Sequence, residues 1–294
     1  MNRVINYQID EENDGKTIAR FLTDRQYSRQ CLIRLKKTTD GILLNDEWAY
    51  VKAVLHTGDE LKIQVQEEED DNILPTVLPF PIIYEDEDLV VVDKPAGMPI
   101  HPSLKHYEHT LANAFAWYYQ ERGSKPVFRC INRLDRDTSG LTMIAKNYVS
   151  GAILYQEMMD RMIHREYLAV VEGADIEESG TVTLPIGRKN DSIIERVIDF
   201  EHGETAVTHY RVIKRMTDTT LLSLHLDTGR THQIRVHMCA IGHPLVGDFL
   251  YNPGNHRMNR QALHSYRLSF THPINGNIME FTAPIPNDMK VIIE

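Results

Sequence analysis

The densest cluster of reactive side chains lies in CINRLDRDTSGLTMIAKN, residues 130–147. Asn132, Arg133, Asp135, Arg136, Asp137, Thr138 and Ser139 crowd together there, just before an apolar run. A side chain at a strand entrance is held by rigid backbone yet reaches solvent, which suits a catalytic carboxylate. Asp135 stands between two arginines, and an arginine near it in space would lower its pKa and keep it ionised. The same residues would equally make an ion-paired turn, with residues 137–140 supplying local turn chemistry. A second cluster is LDTGRTHQIRVHMCAIGHPLVGDFLY, residues 226–251. Gly229 and a Thr231 cap predict a helix on which His232, Arg235 and Cys239 share one face. Arg235 stands among Ile234, Val236 and Met238, where burial without an anion is costly, so a carboxylate from elsewhere in the chain is expected to meet it.

Several chemistries lack their residues. His232 and His237 are spaced i, i+5 with no Glu between them, which is not a helical zinc pair, so no metal is expected. There is no Walker loop, no GxGxxG and no GxSxG, so nucleotide hydrolysis, dinucleotide chemistry and a serine hydrolase triad are unsupported. A hydrolytic glycosidase would need two flanking acids, and Asp135 alone stands out.

The elements that must carry these residues read as an α+β fold. VINYQI alternates as a strand, GKTIARFLTD and SRQCLIRLKK read as short helices with Ser28 as an N-cap, and GILLND and GDELKIQVQ read as strands around a turn at Asn45–Asp46. These form a small mixed module over residues 1–66, with Arg29, Arg34, Lys36 and Lys37 gathered on its helices. EEEDD with the following prolines marks a linker over residues 67–79, since five adjacent acids repel one another and resist packing. From residue 80 to 294, strands outnumber helices and do not alternate regularly with them, so a mixed, mostly antiparallel central sheet is expected. Within it DLVVVDKP, LTMIAK and EYLAVVEG read as strands, with helices near residues 109–121 and 149–161.

The 294 residues carry 42% hydrophobic and 25% charged side chains, the make-up of an ordinary globular chain. No apolar run reaches the ~20 residues of a membrane helix, and the polar start MNRVINYQIDEEND is no secretory leader, so a cytoplasmic protein is expected. Three scattered cysteines with no CxxC fit a reducing compartment. A net charge of −10 argues against coating nucleic acid by bulk charge, but not against a local basic patch.

The motifs YEDEDLVVVDKPAGMPIHPS, INRLDRDTSGLTMIAK, REYLAVVEG, TGRTHQIRVHMCAIGHPLVGD and ALHSYRLSFTHP occur in the order seen in the RluA-type RNA pseudouridine synthases, which this chain resembles over roughly residues 80–285. YSRQCLIRLKK and GDELKIQV are similar to the αL RNA-binding motif of a ribosomal protein. The resemblance implies isomerisation of uridine to pseudouridine within RNA, ribosomal RNA being favoured over transfer RNA, with no cofactor. It makes Asp135 the essential carboxylate, Arg235 its charge partner and Tyr167 the residue that stacks on the base. Arg133 matches the arginine that fills the space left by a flipped nucleotide. Arg129, Arg136 and Arg230 would extend a basic groove around the site, and Arg29, Arg34, Lys36 and Lys37 would bind RNA from the N-terminal module. One position departs: the family usually has His before Arg-Leu-Asp, whereas Asn132 keeps a hydrogen-bonding group without a titratable ring. The competing reading is a noncatalytic RNA-binding protein; a monomer is the default.

Overall fold

The structure, a computed structural model, describes residues 2–67, 69, 72–103, 107–124 and 127–294. Its first part is a four-stranded sheet in the order β1-β4-β2-β3, antiparallel throughout. The strands are β1 (Asn2–Gln8), β2 (Ile42–Leu44), β3 (Glu47–Trp48) and β4 (Glu60–Gln66). Helices α1 (Ile18–Asp24) and α2 (Arg29–Lys37) cover it. Ser28 caps α2 as expected, its hydroxyl accepting from Cys31 N–H at 3.2 Å. Asn45 and Asp46 both take positive φ, the backbone of a tight hairpin turn between β2 and β3.

The second part is built on a ten-stranded sheet, mixed but mostly antiparallel, as expected. It opens with β5 (Ile82–Glu85), β6 (Leu89–Lys94), helix α3 (Leu111–Gln120), β7 (Arg129–Cys130) and β8 (Ser139–Ala145). Helix α4 (Tyr148–Met159) leads to β9 (His164–Glu172) and β10 (Ser179–Val182). A separate hairpin of β11 (Ile186–Arg188) and β12 (Arg196–Ile198) precedes β13 (Thr208–Arg215) and β14 (Thr219–Leu226). Helix α5 (Gln233–Ala240), β15 (Leu263–Thr271), β16 (Ile278–Thr282) and helix α6 (Asn287–Ile293) complete the chain. The sheet runs β10-β13-β14-β9-β15-β8-β6-β5, with β16 added on β15 and β7 on β8.

Every residue of β8 is buried, which is why it reads as a continuous apolar run and not as an alternating strand. The pairing of β8 with β15 is the parallel one, and it is short: Ser139 and Gly140 lie opposite His264 and Ser265. Gly140 has φ +108°, and a Cβ there would stand 2.2 Å from the Ser265 carbonyl oxygen, so only glycine permits this approach.

One expectation changes. The acidic segment is not wholly solvated: the Glu67 carboxylate is buried, accepting from Tyr148 N–H and pairing with Arg129 at 2.7 Å. Burial is tolerable there because both charges are paired and hydrogen-bonded. Glu68, Asp70 and Asp71 lie outside the described residues. The first and second parts also share one apolar core, in which Phe21, Cys31 and Leu35 pack with Tyr148, Val149 and Ile153 of α4. Arg3 of β1 adds a bidentate bond to Asp88 at 3.1 and 3.0 Å. Among the described residues, no helix is long and apolar enough to cross a membrane.

Candidate active site

Asp135 sits in the loop between β7 and β8, and that loop is fastened along its length. Asn132 is buried; its amide donates to the Leu141 carbonyl at 3.1 Å and its Oδ1 accepts from Met143 N–H at 2.9 Å. The departure from histidine thus puts a two-way backbone clip at the start of the loop. Further on, Lys94 donates to the carbonyls of Pro95, Met98 and Arg136 at 2.8, 2.9 and 3.0 Å. Burial pushes the Lys94 pKa down to about 7, against the pull of Asp137 and Asp135. The next carbonyl, that of Asp137, is met at 3.2 Å by Arg260, whose guanidinium is gripped by both oxygens of Asp288 at 2.7 and 2.9 Å. Consecutive peptide groups following Asp135 are therefore held by two different buried basic side chains.

The Asp135 side chain, 24% exposed, opens into a cleft of about 650 Å³. Its Oδ2 accepts from Arg235 Nη1 at 3.1 Å across a hundred residues of sequence. The expected anion for Arg235 is present, but Asp135 is the lesser of two. Arg235 is 2% exposed, and its Nε and Nη2 donate to Asp248 at 2.7 and 2.8 Å. Burial disfavours the Arg235 charge, but Asp248 and then Asp135 outweigh it and hold its pKa above the ordinary value. Asp248 is completely buried and also accepts from the N–H groups of Leu250 and Tyr251 at 3.0 and 3.1 Å. Those bonds satisfy the carboxylate and fix the plane of the guanidinium.

Helix α5 starts differently from the expected cap. His232, not Thr231, is the N-cap; it adopts φ 58°, ψ 18° and makes no side-chain cap bond. A left-handed histidine is strained, and such strain gathers where surrounding structure holds a side chain in place. Here the ring is held: Nδ1 lies 2.9 Å from Tyr251 Oη, which itself accepts from Arg196 N–H at 2.9 Å. The other ring nitrogen, Nε2, lies 3.9 Å from Asp135 Oδ2. Burial lowers the His232 pKa in spite of Asp135, which keeps the ring neutral.

Tyr167 is 4% exposed and lines the same cleft from β9, packed with Leu134, Ile234 and Leu263. The cleft thus combines an aromatic and aliphatic wall with one carboxylate on a buried arginine. A second carboxylate, Asp227, also lines it, near Arg161 and His209 at 3.7 and 3.3 Å.

The expected basic groove is placed less simply. Arg133 is exposed in the cleft lining, and Arg230 is there too, paired with Glu204. Arg129 is turned away onto Glu67, and Arg136 is taken up by its neighbour Asp137 at 2.7 Å; neither lines the cleft. A carboxylate within reach satisfies each guanidinium locally, which charge counting along the sequence does not reveal. In α2, Arg29, Arg34, Lys36 and Lys37 are all exposed, and Arg34 also lies over the Tyr148 ring at 5.1 Å, at the junction with α4. Sequence reasoning missed Lys94, Asp248, Arg260, Asp288 and the cleft arginines Arg161 and Arg165. A lysine ending the apolar run DLVVVDK was a usable signal for the first; the others carry no local signature.

Comparison with known proteins identifies the family. The family model described as RNA pseudouridylate synthase matches residues 88–240. The chain is 40% identical to the uncharacterized RNA pseudouridine synthase YjbO of Bacillus subtilis, over 95% of this chain and 98% of that one. It is 39% identical to the ribosomal large subunit pseudouridine synthase D of Nitrosomonas europaea, over 78% of this chain and 69% of that one. The structure of human RNA pseudouridylate synthase domain containing 1 superposes with a TM-score of 0.59 at 27% identity, covering 71% of this chain and 84% of the other. With the family model matched over residues 88–240 and a relative matched along nearly its whole length, the chain belongs to the RNA pseudouridylate synthase family.

Proposed function

We propose that this protein converts a uridine of large-subunit ribosomal RNA to pseudouridine in the cleft beside Asp135. The family supports the reaction, and relatives named for the large ribosomal subunit support the substrate. The observation that carries the site assignment is the Asp135 carboxylate, open to the cleft on one side and bound to a guanidinium that Asp248 locks from behind.

Breaking the bond from C1′ to the ring nitrogen leaves positive character on the sugar, which an ionised Asp135 stabilises or traps. The uracil turns against Tyr167, whose flat face holds it without fixing its rotation. C1′ then rejoins at a ring carbon, whose proton leaves as the freed nitrogen gains one, so mass is unchanged. The target leaves its stack to reach the cleft, and Arg133 takes up the vacated space. The exposed cations of α2 bind flanking RNA as an αL-type module would, in the cytoplasm where ribosomes are assembled.

The test is to incubate purified protein with unmodified large-subunit ribosomal RNA and map pseudouridine along it. One modified position, absent with Asp135→Asn, is expected. Modification of transfer RNA alone would overturn the substrate, and modification of neither RNA would overturn the reaction.

A further inference from the structure

Five arginines line the cleft: Arg133, Arg161, Arg165, Arg230 and Arg235. Three are occupied by carboxylates, namely Arg161 by Asp227, Arg230 by Glu204 and Arg235 by Asp248 and Asp135. Arg133 is exposed. Arg165 is different. It is only partly exposed, its Nε is buried without a hydrogen-bond partner, and among the described residues no carboxylate pairs with it. A guanidinium at a cleft wall with no carboxylate on it keeps its outer donors for an anion that enters the cleft.

The position says which part of the ligand. Arg165 and Tyr167 are two residues apart on β9, so both side chains point to the same face, about 6–7 Å apart along the strand. That step is comparable to the distance between a nucleobase and its own phosphate. The Arg165 guanidinium lies beside Gly229, where even a Cβ would come within 3.5 Å of Nη1. A planar fork beside bare backbone suits bidentate contact with phosphate oxygens, which a lysine cannot reproduce.

We propose that Arg165 binds a phosphodiester group flanking the target uridine and so sets the depth at which the base meets Tyr167. This rests on the reading of the cleft as the uridine site. It makes Arg165 a substrate-binding residue whose partner is one particular phosphate.

The experiment uses the full chain and a synthetic stem-loop carrying the mapped target uridine. Two further stem-loops each replace one phosphate, on the 5′ or the 3′ side of that uridine, by a neutral methylphosphonate. Affinity and single-turnover rate are measured for wild type, Arg165→Met and Arg165→Lys. The expected result is that Arg165→Met weakens binding of the unmodified stem-loop about tenfold, with Arg165→Lys between it and wild type. On one of the two methylphosphonate stem-loops the variant and wild type should bind alike, because the contact is already gone. Equal losses on all three stem-loops, or no loss on any, would overturn the proposal. If wild type binds but isomerises no stem-loop, it is the functional reading that fails, and the binding comparison still decides the contact. Thermal unfolding of both variants separates loss of fold, and Arg165→Lys keeps the charge should Arg165→Met prove unstable.

Discussion

Two carboxylate–arginine forks flank the loop that carries Asp135, and they share one geometry. In each, Nε and Nη2 of the arginine bind both oxygens of an aspartate, leaving Nη1 to reach the loop. Asp248–Arg235 delivers Nη1 to the Asp135 side chain; Asp288–Arg260 delivers it to the Asp137 carbonyl. Their settings differ: Asp248 is fully buried, whereas the Asp288 side chain is 46% exposed. The inner fork bonds a carboxylate that opens to the cleft and sets a positive charge against it. The outer one touches only backbone and governs place alone. A bidentate carboxylate serves here as a means of aiming the third guanidinium nitrogen.

That contrast can be broken at several points. Asp135→Asn removes the group both forks position, so pseudouridine formation should vanish while RNA binding and thermal stability stay near wild type; substantial turnover by pure variant would refute the site. Asp248→Asn strips the inner arginine of its buried counter-ion. A loss of about 3–5 kcal/mol in denaturant unfolding is expected, together with loss of turnover. Arg235→Lys keeps a positive charge but cannot grip Asp248 and reach Asp135 together. Its single-turnover rate should drop roughly 100-fold, the scale of an ångström-sized misplacement, with RNA affinity little changed. Asp288→Asn tests the outer fork. Partial exposure limits its stability cost to about 1 kcal/mol, while the single-turnover rate should fall with no change in dissociation constant; a rate equal to wild type would show the outer fork to be packing only. The smallest effect should come from Arg136→Ala, since Asp137 already occupies that guanidinium. Its salt dependence of RNA binding should match wild type, whereas Arg133→Ala should reduce the log–log slope by about 0.7–0.9.

Much of this was legible in the sequence. Apolar runs and spacing placed α2, α3, α4, β6, β8 and β9 within a few residues, and the isolation of Arg235 among Ile234, Val236 and Met238 called for an anion. Much of what stayed hidden depends on contacts distant in sequence. Arg129 read as a groove cation because charge along a chain does not report which acid folds back on it, while Arg136 is taken up by its immediate neighbour Asp137. Glu67 read as linker because its partner, Arg129, lies 62 positions away. The start of α5 was misread because a strained left-handed histidine runs against local preference, which would have put the cap on Thr231. Neither Arg260 nor Asp288 announces itself, since each is an ordinary charged residue until the other is placed beside it.

The seam formed by β15 has a consequence for how the protein is made. Asp135 precedes β8 and Tyr167 lies on β9, yet the strand that joins those two begins only at Leu263. During translation, therefore, a nascent chain that has already emitted Asp135, Tyr167 and Arg235 still lacks the spacer that sets them at working distance. The facing edges of β8 and β9 stay unpaired over that interval, an opening for chaperones or for aggregation. Such distant pairing is slow to form, and Asp288 arrives later still. An emerging chain of this kind cannot assemble the cleft until β15 has been made.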